Sequence, residues 1–453
     1  MAGGGALAMS RGARGRSRMR ARVVGALVAG GLTACVLRPS TASGQGFLRW
    51  PQGARASAMG GAGVGLAAGP EAAFHSPAGI AWLEGTRFEV GGRLSARRGS
   101  FHAFGDDDFD READPSLVPA LFVTHALAKD LAGGISITSP WGSDVEWQRP
   151  DSFTGRFLTS GSRLASLDAG VTLAWRAGER WSVSIGPQVV YLRLDRDRLV
   201  HDPELSALGG GGPIPLARSG YDLDGSAIGW SAAVFGRPRP GVSLGAHFRS
   251  AVDVPLEGLV AYTIVAPEAL KALVRGDRTV GEILEDTYVD QSAHLEMPLP
   301  SVLSLGVAWD PVPSVTLTLD AQRVGWSELD ELLFTPLGPA PEDPVPLDWE
   351  DVWAWRIGAE ARRPGGLALR LGYAREESPA PRAGVTPMFP DAERESLSAG
   401  AGLEWRGVGL EIAYRLTVLD DREGVALPDE AAGPDGVYES TEHDLSFAVT
   451  RRF

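Results

Sequence analysis

Cysteine is nearly absent: Cys35 is the only one in 453 residues. A single thiol excludes internal disulfides, and it excludes a cysteine-ligated metal centre in the folded body. Long hydrophobic runs are missing beyond residue 44, where no stretch reaches the roughly 20 apolar residues that a membrane-spanning helix requires. Positive charge is in deficit, with 43 Lys and Arg against 57 Asp and Glu and a formal net charge of −14. Phosphate binding needs clustered cations, so a nucleic-acid partner is excluded. The seven histidines, at 75, 102, 125, 201, 247, 294 and 443, have no recurring Ser or acid beside them. That scatter argues against a lipase or protease, and the chain reads as a non-enzyme without metal or cofactor.

The cations that are present crowd one end. Met1–Gly44 holds Arg11, Arg14, Arg16, Arg18, Arg20, Arg22 and Arg38 and no acid, with an apolar run Val23–Leu37 and then Ser40-Thr41-Ala42-Ser43-Gly44. Basic head, apolar middle and small-residue end are the layout of a secretory signal peptide, assigned to residues 1–44. The apolar run is short for a bilayer core of about 30 Å, which makes a retained anchor the weaker reading. Leu32-Thr33-Ala34-Cys35 resembles a lipoprotein cleavage box, so lipidation at Cys35 competes with cleavage near Gly44, and Met9 or Met19 is an alternative start. Removing these seven Arg moves the net charge from −14 to −21.

The segment Ala54–Trp82 is built mainly of Gly, Ala and other small residues and carries only Arg55 and Glu71 as charges. It keeps neither a strand nor a helix period and cannot form a core of its own. A flexible Gly/Ala linker is the plain alternative, but linkers seldom carry Met59, Val64, Leu66, Phe74, Ile80 and Trp82 together. Gly61 and Gly63 begin a GxGxxG pattern that Leu66 breaks, so a nucleotide loop is set aside. Residues 45–85 are therefore read as a plug, and residues 86–453 as the wall around it.

The wall alternates. Leu410, Ile412, Tyr414, Leu416 and Val418 point one way and Gly409, Glu411, Ala413, Arg415 and Thr417 the other; Leu397, Leu403 and Trp405, and Leu367, Leu369, Leu371 and Tyr373, repeat the pattern. A period of two with one apolar face is a half-buried strand. About fourteen such windows occur, the third over residues 131–140, and tight turns such as Ala177-Gly178-Glu179, Pro364-Gly365 and Arg406-Gly407 alternate with long connections such as Arg196–Tyr221, Leu256–Asp290 and Asp330–Asp348. Short turns at one rim, long loops at the other and an even strand number predict an all-β, transmembrane antiparallel barrel with its apolar faces toward lipid. Trp175, Trp181, Trp309 and Trp405 are expected to form an aromatic belt at the short-turn rim, and Trp141, Trp326 and Trp349 one at the long-loop rim. The acidic run Asp106-Asp107-Asp108 with Asp110 is either a solvated loop or a holder of divalent cations that bridge lipopolysaccharide.

Met59-Gly60-Gly61-Ala62-Gly63 followed by His75-Ser76-Pro77-Ala78-Gly79 resembles the hatch of the outer-membrane transporter family for long-chain fatty acids and aromatic hydrocarbons, with Ser76 where the family has Asn. The likeness continues through Gly134–Ser139 with Pro140-Trp141-Gly142, through Val324-Gly325-Trp326-Ser327 and through Glu377-Ser378-Pro379-Ala380-Pro381. The end of the chain, Asp444–Phe453, resembles the terminal signal read by the barrel-assembly machinery, with Arg451 departing from its alternation. The resemblance implies diffusive uptake of hydrophobic small molecules across the outer membrane of a Gram-negative bacterium, with sideways exit at a kink in the third strand. That kink is expected at Gly134, Ser139, Pro140 and Gly142, since Pro140 lacks a ladder N–H; a strand that simply ends at Pro140 is the alternative.

Ser76, Pro77 and Ala78 are the expected hatch motif. Phe47, Phe74 and Ile80 are the expected apolar lining. Leu270, Leu273 and Val274, on a short helix begun by Pro267, are the expected capture surface, unless they serve loop-on-loop packing. Arg198 matches an inward basic residue that the resemblance associates with carboxylates, but Leu333 stands where a second basic partner is expected, which keeps neutral hydrocarbon and aromatic ligands in play. A barrel of the same superfamily that binds or shuttles secreted proteins, and a general porin, are the competing functions.

Overall fold

The structure, a computed structural model, describes residues 45–104, 107–111, 115–208, 213–381, 384–424 and 436–453. The signal peptide, the Cys35 lipidation box and Asp106 lie outside the described residues. Fourteen strands follow in order: β1 Thr86–Ala103, β2 Ser116–Ala128, β3 in two pieces, Leu131–Thr138 and Gly142–Glu146, β4 Gly161–Ala177, β5 Trp181–Val200, β6 Ala217–Arg239, β7 in two pieces, Val242–Arg249 and Val252–Ile264, β8 in two pieces, Gln291–Leu299 and Val302–Val312, β9 Val315–Val324, β10 Val352–Arg362, β11 Leu367–Glu376, β12 Arg394–Trp405, β13 Val408–Gly424 and β14 Gly436–Arg452. Each pairs antiparallel with the next, and β14 pairs back onto β1 from Arg87↔Arg452 to Ala103↔Gly436, so the sheet closes on itself as a barrel. Among the described residues no helix is long and apolar enough to cross a membrane; strands do the crossing.

Alternation fixes the two faces. On β13, Leu410, Ile412 and Tyr414 are 53%, 54% and 47% exposed, while Ala413 and Arg415 between and beside them are 2% and 4% exposed. Leu369, Leu371, Leu397, Leu445, Phe447 and Val449 continue the exposed apolar band around the wall. Leaving one such side chain in water forgoes about 1.5–3 kcal/mol, so a band of this extent needs a hydrocarbon solvent. At the short-turn rim, Arg406 and Gly407 both adopt positive φ, 52° and 76°, the backbone of a two-residue hairpin whose twist matches its strands.

The tryptophans divide differently from expectation. Trp175, Trp181, Trp309 and Trp405 do face outward at the short-turn rim. Trp141, Trp326 and Trp349 do not form a second belt: all three are buried inside the barrel. Each sits where the ladder is interrupted, Trp141 in the break of β3, Trp326 in a 3-10 turn and Trp349 in the loop before β10, and there the period-two rule no longer assigns a face. Trp230, Trp353 and Trp355, on strands, are the outward-facing ones away from the short turns.

Candidate functional site

The inner wall is polar in its short-turn half and apolar in its long-loop half, and the amino-terminal segment touches both. Its helices are single turns, α1 Ala54–Ala58 and α2 Ala72–His75, followed by a 3-10 stretch Pro77–Trp82. Elements this short leave most backbone groups without partners of their own. Inward side chains of the wall supply them. Asp320 of β9 accepts from the N–H of Gly63 at 2.7 Å and of Val64 at 2.8 Å. Ser398 of β12 accepts from Gly60 N–H, Arg415 of β13 donates to the Trp50 carbonyl, Ser243 of β7 to Gly65 and Ser182 of β5 to Ala78.

Close approach completes the fit. A Cβ on Gly372 of β11 would lie 2.0 Å from Gly60 N, and one on Gly245 of β7 would lie 2.0 Å from Val64 O, so backbone packs directly on backbone at both positions. These inward glycines, and the inward acid Asp320, were not singled out from sequence. The available signal was small residues on the non-lipid phase of consecutive strands.

Against the segment the lumen is charged and closely paired. Glu376 bonds Arg356 at 2.7 Å and lies 3.2 Å from Arg394 and 3.6 Å from Arg415. Glu360 similarly holds Arg55 of the segment at 3.0 Å and Arg370 at 2.6 Å. An open cavity of about 760 Å³ at the short-turn rim is lined by Leu66, Trp82, Arg180, Phe235, Arg237 and Asp310 among others.

The predicted lining residues fall into separate clusters. Phe47 stands in an aromatic cage: its ring centroid lies 4.6 Å from Trp326, 5.4 Å from Phe389, 5.7 Å from Trp349 and 6.2 Å from Trp141. Phe74 packs instead with Trp50, Ala120 and Phe122, and Ile80 with Ala73, Ala132 and Ala174. Pro77 opens the 3-10 stretch, Ser76 ends α2, and Ala78 is buried against Ala233 and Phe235.

At the break in β3, three residues, Ser139–Trp141, stand against two, Ser166 and Leu167, because Thr138 pairs with Asp168 and Gly142 with Ala165. The ladder to β2 ends at Leu121↔Ile137; beyond it the second piece of β3 pairs with β4. Gly134 itself keeps both ladders, facing Thr124 and Thr172, so it lies before the break rather than in it. The amino-terminal segment occupies the edge exposed there. Arg49 N–H donates to Pro140 O at 2.6 Å, Gly142 N–H donates to Phe47 O at 2.9 Å, and Gln52 exchanges bonds with Ser139.

Arg198 lies near the long-loop rim, but it is paired. Asp343 accepts from Arg196 at 2.7 Å and lies 2.9 Å from Arg198, whose guanidinium also donates to Phe157 O. Arg196, which the sequence reading passed over, is fully buried over the Phe334 ring. Leu333 is half-buried on a short strand, Glu331–Pro336.

In the long loop after β7 the first helix is shorter than predicted, α4 Glu268–Lys271, counting α3 Pro203–Leu208 before it. A second, α5 Val280–Thr287, carries a capping box in which Thr279 N–H and hydroxyl bond the Glu282 carboxylate, holding it below its usual pKa range. Leu270 is buried between these helices with Leu205, Val280 and Leu284, whereas Leu273 and Val274 remain exposed. The chain reverses after Lys271 into a two-residue hairpin, which separates Val274 from the helix face.

An antiparallel sheet closed on itself, with an apolar band facing outward and paired charges inside, defines a transmembrane β-barrel of the outer-membrane type. The family model "Outer membrane protein transport protein (OMPP1/FadL/TodX)" matches residues 34–421, and the chain belongs to that family. A long-chain fatty acid transport protein of Salmonella typhi is 23% identical over 306 residues, 65% of this chain and 67% of that protein. Among solved structures, a Pseudomonas aeruginosa FadL homologue superposes with a TM-score of 0.80 at 17% identity, covering 90% of this chain and 100% of the other. The Ralstonia pickettii toluene transporter TbuX gives 0.66 at 18% identity, over 88% and 98%.

Proposed function

We propose that this barrel lets hydrophobic small molecules, fatty acids or aromatic and aliphatic hydrocarbons, diffuse across the outer membrane of a Gram-negative bacterium. The segment 45–85 acts as its plug, and cargo leaves sideways at the break in β3. The observation that carries this reading is the parting of β3 from β2 after Ile137, with the Phe47–Arg49 backbone hydrogen-bonded into the gap. A wall edge satisfied by a removable strand differs from one satisfied by its neighbour: withdrawing Phe47–Arg49 opens an apolar passage without breaking the barrel. Relatives that transport fatty acids and toluene support the cargo class. Capture falls to the exposed Leu273 and Val274 beside Leu270, and Arg198 would meet an acidic head only where that head displaces Asp343.

The outward phase of Leu445, Phe447 and Val449 supports recognition by the barrel-assembly machinery. The test is uptake of labelled oleate and toluene into liposomes holding the purified protein, against a variant lacking Pro140. Removing one residue returns the break to equal strand lengths, so uptake is expected to fall to the level of empty liposomes while heat-modifiable migration stays native. Uptake unchanged by the deletion sinks the lateral route. No uptake of either probe favours the protein-binding barrel, and passage of small sugars favours the porin.

A further inference from the structure

Five tryptophans are buried: Trp50, Trp141, Trp147, Trp326 and Trp349. Two of them use their indole N–H, Trp50 on Gly61 O at 3.3 Å and Trp147 on Pro387 O at 3.1 Å. The other three have no acceptor, and they are the three that ring Phe47. A buried donor without a partner is costly, and an edge-to-face ring is at most a second-order substitute. Three such donors in one cage, all on the residue that plugs the strand break, are difficult to attribute to packing alone, because Phe would fill similar space without the penalty.

We propose that Trp141, Trp326 and Trp349 recognise an uncharged oxygen acceptor on the cargo, so that the preferred ligand is a ketone, ester, ether or phenol attached to an apolar body. The proposal rests on the transport reading above and narrows it. An uncharged head is favoured over a carboxylate by the charges nearby. Asp391, buried beside the cage, already accepts from Gly46 N–H at 3.2 Å, and an incoming carboxylate would meet it. Three nearby cations are engaged: Arg394 with Glu376 and Gly46 O, Arg356 with Glu376 and Gln45, and Arg49 with Gly142 O. A second buried anion would lack a counter-charge, whereas a carbonyl or ether oxygen needs only the N–H groups that stand idle.

The test uses octanophenone and octylbenzene, which differ by a carbonyl in place of a methylene, bound at equilibrium to the purified full-length protein in detergent micelles and referenced to empty micelles. Octanophenone is expected to bind about tenfold more tightly or better, the discrimination that satisfying an orphaned donor supplies. Trp326→Phe is expected to bring the ratio of the two toward one, whatever the lost packing does to both. Should Trp326→Phe fail to fold, 3-benzothienylalanine at position 326 keeps the ring outline without the N–H and gives the same readout. A ratio near one in the native protein overturns the proposal, as does a ratio indifferent to loss of the N–H at 141, 326 and 349 in turn, or laurate binding more tightly than octanophenone. In each of those cases the transport reading stands; binding of none of the three probes removes both.

Discussion

Asp320 and Gly63 meet across the lumen: one carboxylate oxygen of Asp320 takes the Gly63 N–H at 2.7 Å and the Val64 N–H at 2.8 Å. A single strand side chain thereby holds two consecutive peptide groups of a segment that has little regular structure of its own. Each of these hydrogen bonds contributes about 1 kcal/mol net, and a buried N–H left without its acceptor costs about 1–3 kcal/mol. Asp320→Ala is therefore expected to loosen the segment by about 3 kcal/mol, with Asp320→Asn between it and the native protein. Raised single-channel conductance in planar bilayers and faster proteolysis within 54–83, with unchanged barrel melting, are the outcomes to look for; native conductance in Asp320→Ala would refute the latch.

Glu376 faces three arginines, Arg356, Arg394 and Arg415, all buried. Removing the anion leaves uncompensated buried cations, a loss of about 3–5 kcal/mol. Glu376→Ala should shift urea unfolding in micelles by that amount, and Glu376→Gln, which keeps an acceptor, by less. A native midpoint for Glu376→Gln would show that charge is not the stabilising factor.

Asp343 keeps Arg196 and Arg198 from other anions. Asp343→Asn frees both guanidinium groups, so binding of laurate should strengthen by roughly 1–2 kcal/mol while binding of octylbenzene stays constant. Equilibrium binding of the pair distinguishes this from a general loosening of the loops, which would move both probes.

Gly134 abuts the amino-terminal segment: a Cβ there would sit 2.8 Å from Ile80 Cδ1 and 3.3 Å from Ala73 Cβ. Gly134→Val overpacks this contact at a cost of about 1–3 kcal/mol. Hydrogen exchange across 72–82 should quicken, and the β3–β4 ladder, which Val suits, should remain protected. Exchange unchanged in 72–82 would mean that the segment is not seated on β3.

The wall was legible because period-two alternation needs no distant information. The windows read from residues 86 to 453 match the fourteen strands in number and order; the seventh runs on to Ile264, into what was expected as the loop from Leu256, and the third, predicted over 131–140, continues after a three-residue break to Glu146. The interior was less legible. Gly134 was grouped with the kink because glycine weakens strands, yet its neighbours hold it in two ladders. Phe47, Phe74 and Ile80 were expected to line one pocket and lie in three clusters, since a segment without a period carries no record of which wall each side chain meets.

The sequence by itself determined the closed architecture and which face looks at lipid, because a strand's alternate side chains have only two directions and one of them is apolar. Only the tertiary structure decided that Trp141, Trp326 and Trp349 turn inward onto Phe47, and that Arg198 shares Asp343 with Arg196. Those meetings join residues distant in the chain at breaks and loops, where no local period operates and the curvature of the closed sheet sets who stands opposite whom.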